Sequence, residues 1–289
     1  MAQPSKTPVS NNGLKRVPEE KVDLYDSAYS HYGSTAEAAV RADAYGEDIG
    51  QSSWITATEW LNFALQLGID SNSNVLEVGC GSGGPAVYLS ERVGCHITGI
   101  DINDHGIANA RALSDRRHLS ARVRFERVDA SQPLPFPASS FDAVISNDAM
   151  CHIANRGSVL ADWYRLLRPG GRMLFTDAMI VTGLVSAEEL AIRSSIGFYL
   201  FLPPGVNEQL IREAGFHLAQ LNNLTDSAAN VAKRWHAARA RHRSELLAHE
   251  GEANFEGLQR FLACVHRLSV EGRLSRYSYL ASKPSEASS

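Results

Sequence analysis

The junction at which Val75-Leu76-Glu77-Val78 runs into Gly79-Cys80-Gly81-Ser82-Gly83-Gly84-Pro85 constrains this chain more than any other stretch. A short apolar strand, a glycine turn and a helix start, in that order, set backbone amides around one end of a nucleoside ligand. A second apolar run, His96–Asp101, closes on Gly99-Ile100-Asp101. Its carboxylate arrives about 20 residues after the turn, at the end of the next strand, where it meets ribose hydroxyls. The chain therefore reads as binding an adenosine-bearing cofactor. Taken alone, Gly79-x-Gly81-x-x-Gly84 also admits a nicotinamide dinucleotide, so the choice of cofactor rests on the remaining residues.

Short apolar or β-branched runs recur at Val75–Val78, His96–Asp101, Val123–Val128, Phe141–Ser146 and Arg172–Asp177, with helical patterns at Ala86–Val93, Asp104–Arg117 and Gly157–Leu167 between them. That alternation predicts an α/β fold with a mostly parallel, doubly wound sheet. Upstream, Trp54–Leu67 has helical periodicity, with Trp54, Thr58, Leu61 and Leu65 on one face. Pro169-Gly170-Gly171 marks a turn into the fifth strand. After Asp177 the pattern predicts helices at Ala187–Ser195 and Asn207–Ala214, a strand at Leu218–Leu224, a helical insertion at Ser227–His249 and Phe255–Gly272, and a last strand at Ser275–Ala281. The insertion can cap the carboxyl end of the sheet, where ligands bind.

Composition narrows the partners. A net charge of −4 disfavours nucleic acid. No apolar run reaches the roughly 20 residues that span a bilayer, and the polar first 20 residues carry no secretory apolar core, so cytoplasm and no membrane are expected. Cys80, Cys95, Cys151 and Cys264 are widely spaced without C-x-x-C pairs, which predicts reduced thiols and no metal site. Residues 1–20 and 284–289 read as disordered tails around one domain, 21–283, divided into a lid (21–54), a cofactor-binding core (55–180) and a substrate-side cap with the last strands (181–283).

Three further features point away from NAD: Glu77 inside the first strand, Asp129-Ala130 closing the third, and the runs Leu134-Pro135-Phe136 through Phe141-Asp142 and Leu167-Arg168-Pro169-Gly170-Gly171-Arg172. Together with E-V-G-C-G-S-G-G and G-I-D they resemble the class I S-adenosylmethionine-dependent methyltransferases of the small-molecule branch, over roughly residues 22 to 283. The resemblance implies a Rossmann-like seven-stranded sheet with an N-terminal helical lid and a helical insertion between the last two strands. It implies S-adenosyl-L-methionine as cofactor, with Glu77, Gly79, Gly81 and Gly84 at its methionine end, Asp101 on the ribose and Asp129 with Ala130 at the adenine. It also implies contacts from Ile102, Asn147 and Ser52. No phosphate-gripping lysine follows the glycines, as suits a cofactor without pyrophosphate.

Asn147-Asp148-Ala149-Met150-Cys151-His152, after the fourth strand, resembles the D-A-x-x-H element of sarcosine/dimethylglycine N-methyltransferases and phosphoethanolamine methyltransferases. By that resemblance His152 is a general base or substrate orienter, paired with a lid tyrosine: Tyr32, with Tyr29 and Tyr25 as competitors. Tyr45–Ser53 resembles the same lid. Asp148 either anchors an ammonium group or positions the loop. Tyr25, Tyr29, Tyr32 and Tyr45 with Trp54 either build an aromatic wall over a cation or pack the lid against the sheet. Arg193 either pairs with a substrate carboxylate or phosphate or is a surface helix residue. Asn207 and Glu208 open a helix. Lys233, Arg234, His236, Arg239, Arg241, His242 and Arg243 form either a solvated face with carboxylate partners or a surface that attracts an anionic substrate. The expected function is methylation of a small metabolite, at an amine nitrogen, by a monomer or homodimer. An O-, C- or S-methyltransferase of a natural-product pathway and a non-catalytic cofactor-binding protein are the alternatives. The fold does not choose between them.

Overall fold

Val75 and Leu76 are adjacent and both fully buried. Successive strand side chains point to opposite faces, so this strand is covered on both sides, as in a parallel sheet wrapped by helices. A computed structural model describes residues 29–285. The expected tail at 1–20, the start of the lid with Tyr25, and residues 286–289 of the tail expected at 284–289 lie outside the described residues.

The elements run α1 (Thr35–Tyr45), α2 (Ala57–Leu67), β1 (Asn74–Val78), α3 (Gly84–Val93), β2 (His96–Asp101), α4 (Asp104–Arg116), β3 (Val123–Arg127), β4 (Phe141–Ser146), a 3₁₀ turn (Met150–His152) and α5 (Arg156–Leu166). They continue with β5 (Leu167–Val181), α6 (Ala187–Arg193), α7 (Val206–Glu213), β6 (His217–Asn223), α8 (Thr225–Arg241), α9 (Arg243–Val270) and β7 (Leu274–Ser282). The strands form one sheet in the order β3-β2-β1-β4-β5-β7-β6. β1 to β5 are parallel, and β7 runs antiparallel to both β5 and β6, so the sheet is mixed. The order reverses between β1 and β4, the switch point at which the carboxyl ends diverge into a crevice.

One face buries Trp60, Val87, Leu89 and Ile107 from α2, α3 and α4 against Val75, Ile97 and Ala143. The other buries Leu160, Trp163 and Ile211 from α5 and α7 against Leu76, Val144 and Phe175. A third cluster joins the lid to the insertion: Val40, Ala44, Tyr45 and Trp54 pack on Val231, Trp235, Leu258 and Phe261. Arg241 of α8 meets Asp43 of α1 at 2.7 Å across the same seam.

Three expectations shift. The first helix begins at Ala57, because Thr56 caps it: its side chain accepts from Glu59 N and Glu59 accepts from Thr56 N. Its buried face is Trp60, Phe63, Ala64 and Leu67, while Leu65 is 75% exposed, so the buried stripe lies about a quarter-turn from Trp54–Thr58–Leu61–Leu65. The insertion breaks at His242, earlier than the His249 the pattern gave, and again at Gly251, whose φ of 74° suits a glycine. Pro169-Gly170-Gly171 falls within a lengthened β5.

Much of the basic stretch is neutralised locally. Arg239 is 3% exposed and ion-paired with the buried Glu250, Arg241 and His242 face Asp43, and Arg243 faces Glu252 and Glu256. Removing one partner of a buried pair strands a charge in the interior. Glu250→Ala is expected to cost about 3 kcal/mol or more in urea unfolding. The control Glu252→Ala, on an exposed side chain, is expected to cost under about 0.5 kcal/mol.

Candidate active site

The glycine turn is shaped by three positive-φ residues, Gly79, Gly81 and Gly83, at 78°, 53° and 75°. Gly79 N and Cys80 N both donate to Ile100 O, which ties the turn to the end of β2. Asp101 completes the link: Oδ2 accepts from Gly81 N and Oδ1 from Asn103 N, each at 2.9 Å. Burial raises the Asp101 pKa from the ordinary carboxylate value. Each oxygen keeps a second lone pair for a further donor.

Beside this turn a cavity of about 570 Å³ opens at the carboxyl ends of β1 to β4. Its walls bring together most of the residues singled out from the sequence: Glu77, Gly79, Gly81, Asp101, Ile102, Asp129, Ala130, Asn147, Asp148, His152 and Ser52. Gly84 and Tyr32 are not among them. A Cβ on Gly84 would collide with the Ile49 carbonyl, so this glycine lets the lid backbone approach α3. The Tyr32 hydroxyl donates to Gly50 O at 3.4 Å, and its ring lies under Arg41, which places it within the lid. Tyr29 does line the cavity, and its hydroxyl would stand 2.6 Å from a Cβ at Gly81.

The two ends of the cavity differ in chemistry. At the floor, Glu77 is 3% exposed and its Oε2 has no hydrogen-bond partner. Burial, with the nearby Asp101 carboxylate, pushes its pKa up to about 8. Ile102, 59% exposed, and Ala130 offer apolar surface, and Asp129 is exposed at the rim with Oδ1 on Ser131 N. No lysine or arginine lines the cavity.

At the other end, the loop after β4 is held from behind. Asp148 adopts φ 53°, unusual for a non-glycine residue. Its Oδ1 accepts from Arg276 Nε at 2.9 Å and Thr176 Oγ1 at 2.8 Å, and its Oδ2 from Trp54 N at 3.2 Å. Asn147 accepts from Arg276 Nη2 at 2.8 Å and donates to Ser53 Oγ. Asp148 is thus engaged in positioning the loop. Arg276, on β7, gave no sequence signal: a lone arginine in an apolar strand announces nothing until its partners are in place.

His152 Nδ1 lies 2.8 Å from Phe198 O. A carbonyl only accepts, so Nδ1 carries the proton and Nε2 the basic lone pair in the neutral ring. Burial, chiefly, lowers the His152 pKa from the ordinary imidazole value and keeps that ring neutral near pH 7. The Tyr199 ring stacks obliquely on it, with centroids 4.4 Å apart. Arg193 is buried rather than on the surface. Asn207 opens α7 and also bonds Asp177, whose other oxygen contacts come from Arg156 and Met179 N.

Residues 76–175 match the family model described as a methyltransferase domain. Over 108 residues, 37% of this chain, the sequence is 41% identical to a sterol 24-C-methyltransferase of Pneumocystis carinii (strain B80), covering 28% of that protein. Over 214 residues, 74% of this chain, it is 27% identical to the phosphoethanolamine N-methyltransferase of Triticum aestivum, covering 41% of that protein. The chain thus spans less than half the length of either relative. A putative sarcosine dimethylglycine methyltransferase from Galdieria sulphuraria shares the fold, with a TM-score of 0.75 at 20% identity over 90% of this chain and 98% of that one. No helix among the described residues is long and apolar enough to cross a membrane.

Two outcomes follow from the geometry. Gly84→Ala should push the Ile49–Gly50 backbone off α3, costing about 1–3 kcal/mol and opening residues 46–53 to limited proteolysis. Glu77 favours its protonated form in the fold. Its contribution is therefore full below the unfolded carboxyl pKa and is lost as pH rises through about 8. At about 1.4 kcal/mol per pKa unit, ligand-free protein should lose a few kcal/mol of stability between pH 5 and 8, and Glu77→Gln should flatten that slope in urea titrations.

Proposed function

We propose that the methyltransferase domain carried by residues 76–175 makes this chain an S-adenosyl-L-methionine-dependent enzyme that methylates an amine nitrogen of a small metabolite. The observation that carries this reading is the pairing, in one cavity, of an orphaned buried carboxylate at the β1 end with a neutral histidine on the loop after β4.

The residues fit the cofactor. Its ammonium group would supply the donor that Glu77 Oε2 lacks, and its ribose hydroxyls would use the remaining lone pairs of Asp101. The slot beside Ile102, Ala130 and Asp129 suits a purine with an amino edge. When bound, the cofactor supplies an electrophilic methyl group on a sulfonium.

The chain's own contribution is position and proton handling. The lid residues Gly50 to Ser53 form part of the cavity wall. Ser53 and Trp54 are fastened to Asn147 and Asp148, so a closed lid and a correctly placed loop are one arrangement. Holding a nucleophile in line with a methyl carbon supplies much of the rate by orientation alone. An acceptor nitrogen with a free lone pair needs no base, and one that bears a proton gives it up to His152 Nε2. The resemblance of residues 147–152 to the amine-methylating branch favours nitrogen; coverage does not decide, since an amine methyltransferase and a sterol 24-C-methyltransferase each match over 74% of the chain.

The test is calorimetry with S-adenosylhomocysteine followed by transfer of labelled methyl groups to a metabolite pool, with mass spectrometry of the products. Binding followed by a labelled amine supports the reading; failure to bind, or label only on carbon or oxygen, removes it. On the identified acceptor, His152→Gln is expected to lower kcat by about 10²-fold or more if the nitrogen is protonated at working pH. The acid limb of the pH profile, placed below the ordinary imidazole range, should vanish with it.

A further inference from the structure

Among the large apolar side chains exposed in the described residues, two line the cavity, Ile102 and Phe198. Ile102 follows the end of β2 and belongs to the cofactor end. Phe198 stands at the other end and is 57% exposed, although its backbone is tied down. Its carbonyl meets His152 Nδ1 at 2.8 Å, and two residues on, Leu200 N donates to Cys151 O at 2.9 Å. On the upstream side Ile196 is buried in the cluster that contains Trp54 and Phe261. A lone exposed apolar residue on a surface loop needs no explanation. Phe198 is different: its own carbonyl orients His152, and the cavity wall that carries it is anchored on both sides.

The space beside this wall is open, and the charge around it is one-sided. A Cβ at Gly197 would meet nothing within 4 Å, so there is room next to Phe198. Asp101, Asp129 and Asp148 line the cavity together with Glu77, and among the described residues no lysine or arginine does. An oxyanion brought in here would give up water without gaining a cationic partner. A hydrocarbon or aromatic group laid on Ile196 and Phe198 loses no hydrogen bond and takes apolar surface out of water.

We propose that Phe198 sets the acceptor specificity of this site, and that the acceptor is an amine with an uncharged, apolar body. That body packs on the Ile196–Phe198 wall, with the nitrogen on the His152 side. The inference rests on the methyl-transfer reading above and narrows it, away from the phosphorylated acceptor in the name of the Triticum aestivum relative. The carbonyl that orients His152 and the ring that receives the acceptor belong to one residue. Seating the body therefore sets where the nitrogen lies relative to the imidazole.

The test uses the full chain saturated with S-adenosylhomocysteine and three amines of growing length, ethylamine, butylamine and hexylamine, followed by calorimetry. They share one ammonium group, so only the apolar body varies. Affinity should rise about threefold per added methylene, the gain from burying that group, with saturation at one site per chain. ε-Aminocaproate, which ends in a carboxylate at about the same length, should bind about tenfold or more weaker than hexylamine. Phosphoethanolamine should bind no tighter than ethylamine. Phe198→Ala keeps the carbonyl on His152 and removes the ring. It should weaken hexylamine about tenfold and flatten the chain-length series, while ethylamine and S-adenosylhomocysteine bind as before; Phe198→Leu should keep most of the slope. A flat series in the wild-type chain, no saturable amine binding, tighter binding of an anionic probe than of its matched amine, or a slope that survives Phe198→Ala overturns the proposal. If the alanine variant does not fold, the leucine variant and the wild-type series decide. Should S-adenosylhomocysteine itself fail to bind, the methyl-transfer reading falls first and this one with it; should it bind while the series is flat, only the apolar acceptor falls.

Discussion

The guanidinium of Arg276 is where three parts of the molecule, distant in sequence, become one site. It sits on β7, 1% exposed, and meets Asp148 and Asn147 after β4 and Glu59 in the first turn of α2. Neutralising a buried arginine requires its carboxylates to be in place, so the loop after β4 and the end of the lid are fixed together. The unusual φ of Asp148 persists because Arg276, Thr176 and the Trp54 amide over-determine it. The last strand therefore takes part in the site although it lines none of the cavity. This explains why the helical insertion precedes β7: α8 and α9 brace the lid, and β7 then returns through the sheet to lock the loop.

The cofactor half of the fold was legible because its physics is local. A strand that buries both faces is an unbroken apolar run, and a turn with three positive-φ positions needs glycine at each. The parallel strands, the placement of Asp101 at the end of β2 and the insertion between β6 and β7 all follow from patterns a few residues long. What the pattern misplaced was set by contacts elsewhere. Leu65 reads like a core residue, yet Thr56 and Glu59 cap α2 so that Trp60 turns inward to give its indole N–H to Pro85 O at 2.9 Å. The break at His242 has no glycine or proline to announce it.

The site divides in the same way. Glu77, Gly79, Gly81 and Asp101 are local to one turn and could be named from it. Gly84 could be named but not understood, because its reason is the lid backbone passing over it from residues 49 and 50. Spacing within the resemblance points to Tyr32 ahead of Tyr29, whereas the lid turns Tyr29 toward the glycines and Tyr32 toward Arg41. Arg193 and Arg276 are both buried arginines, and only three-dimensional bookkeeping of their partners tells them apart.

Charge at the far end of the cavity is shared out through the same contacts. Arg276 faces two carboxylates, Asp148 and Glu59, so one guanidinium serves both and the cluster formally keeps one negative charge in excess behind the loop after β4. Asp148 lines the cavity, yet its oxygens already accept from Arg276, Thr176 and the Trp54 amide. A cation drawn toward that end would have to compete with the contacts that hold the loop, because the carboxylate that attracts it is also the one that fixes the lid. His152, kept neutral chiefly by burial and tied to Phe198 O through Nδ1, adds no charge of its own there. Attraction at this end therefore comes from the Arg276 cluster, and proton handling from the imidazole beside it.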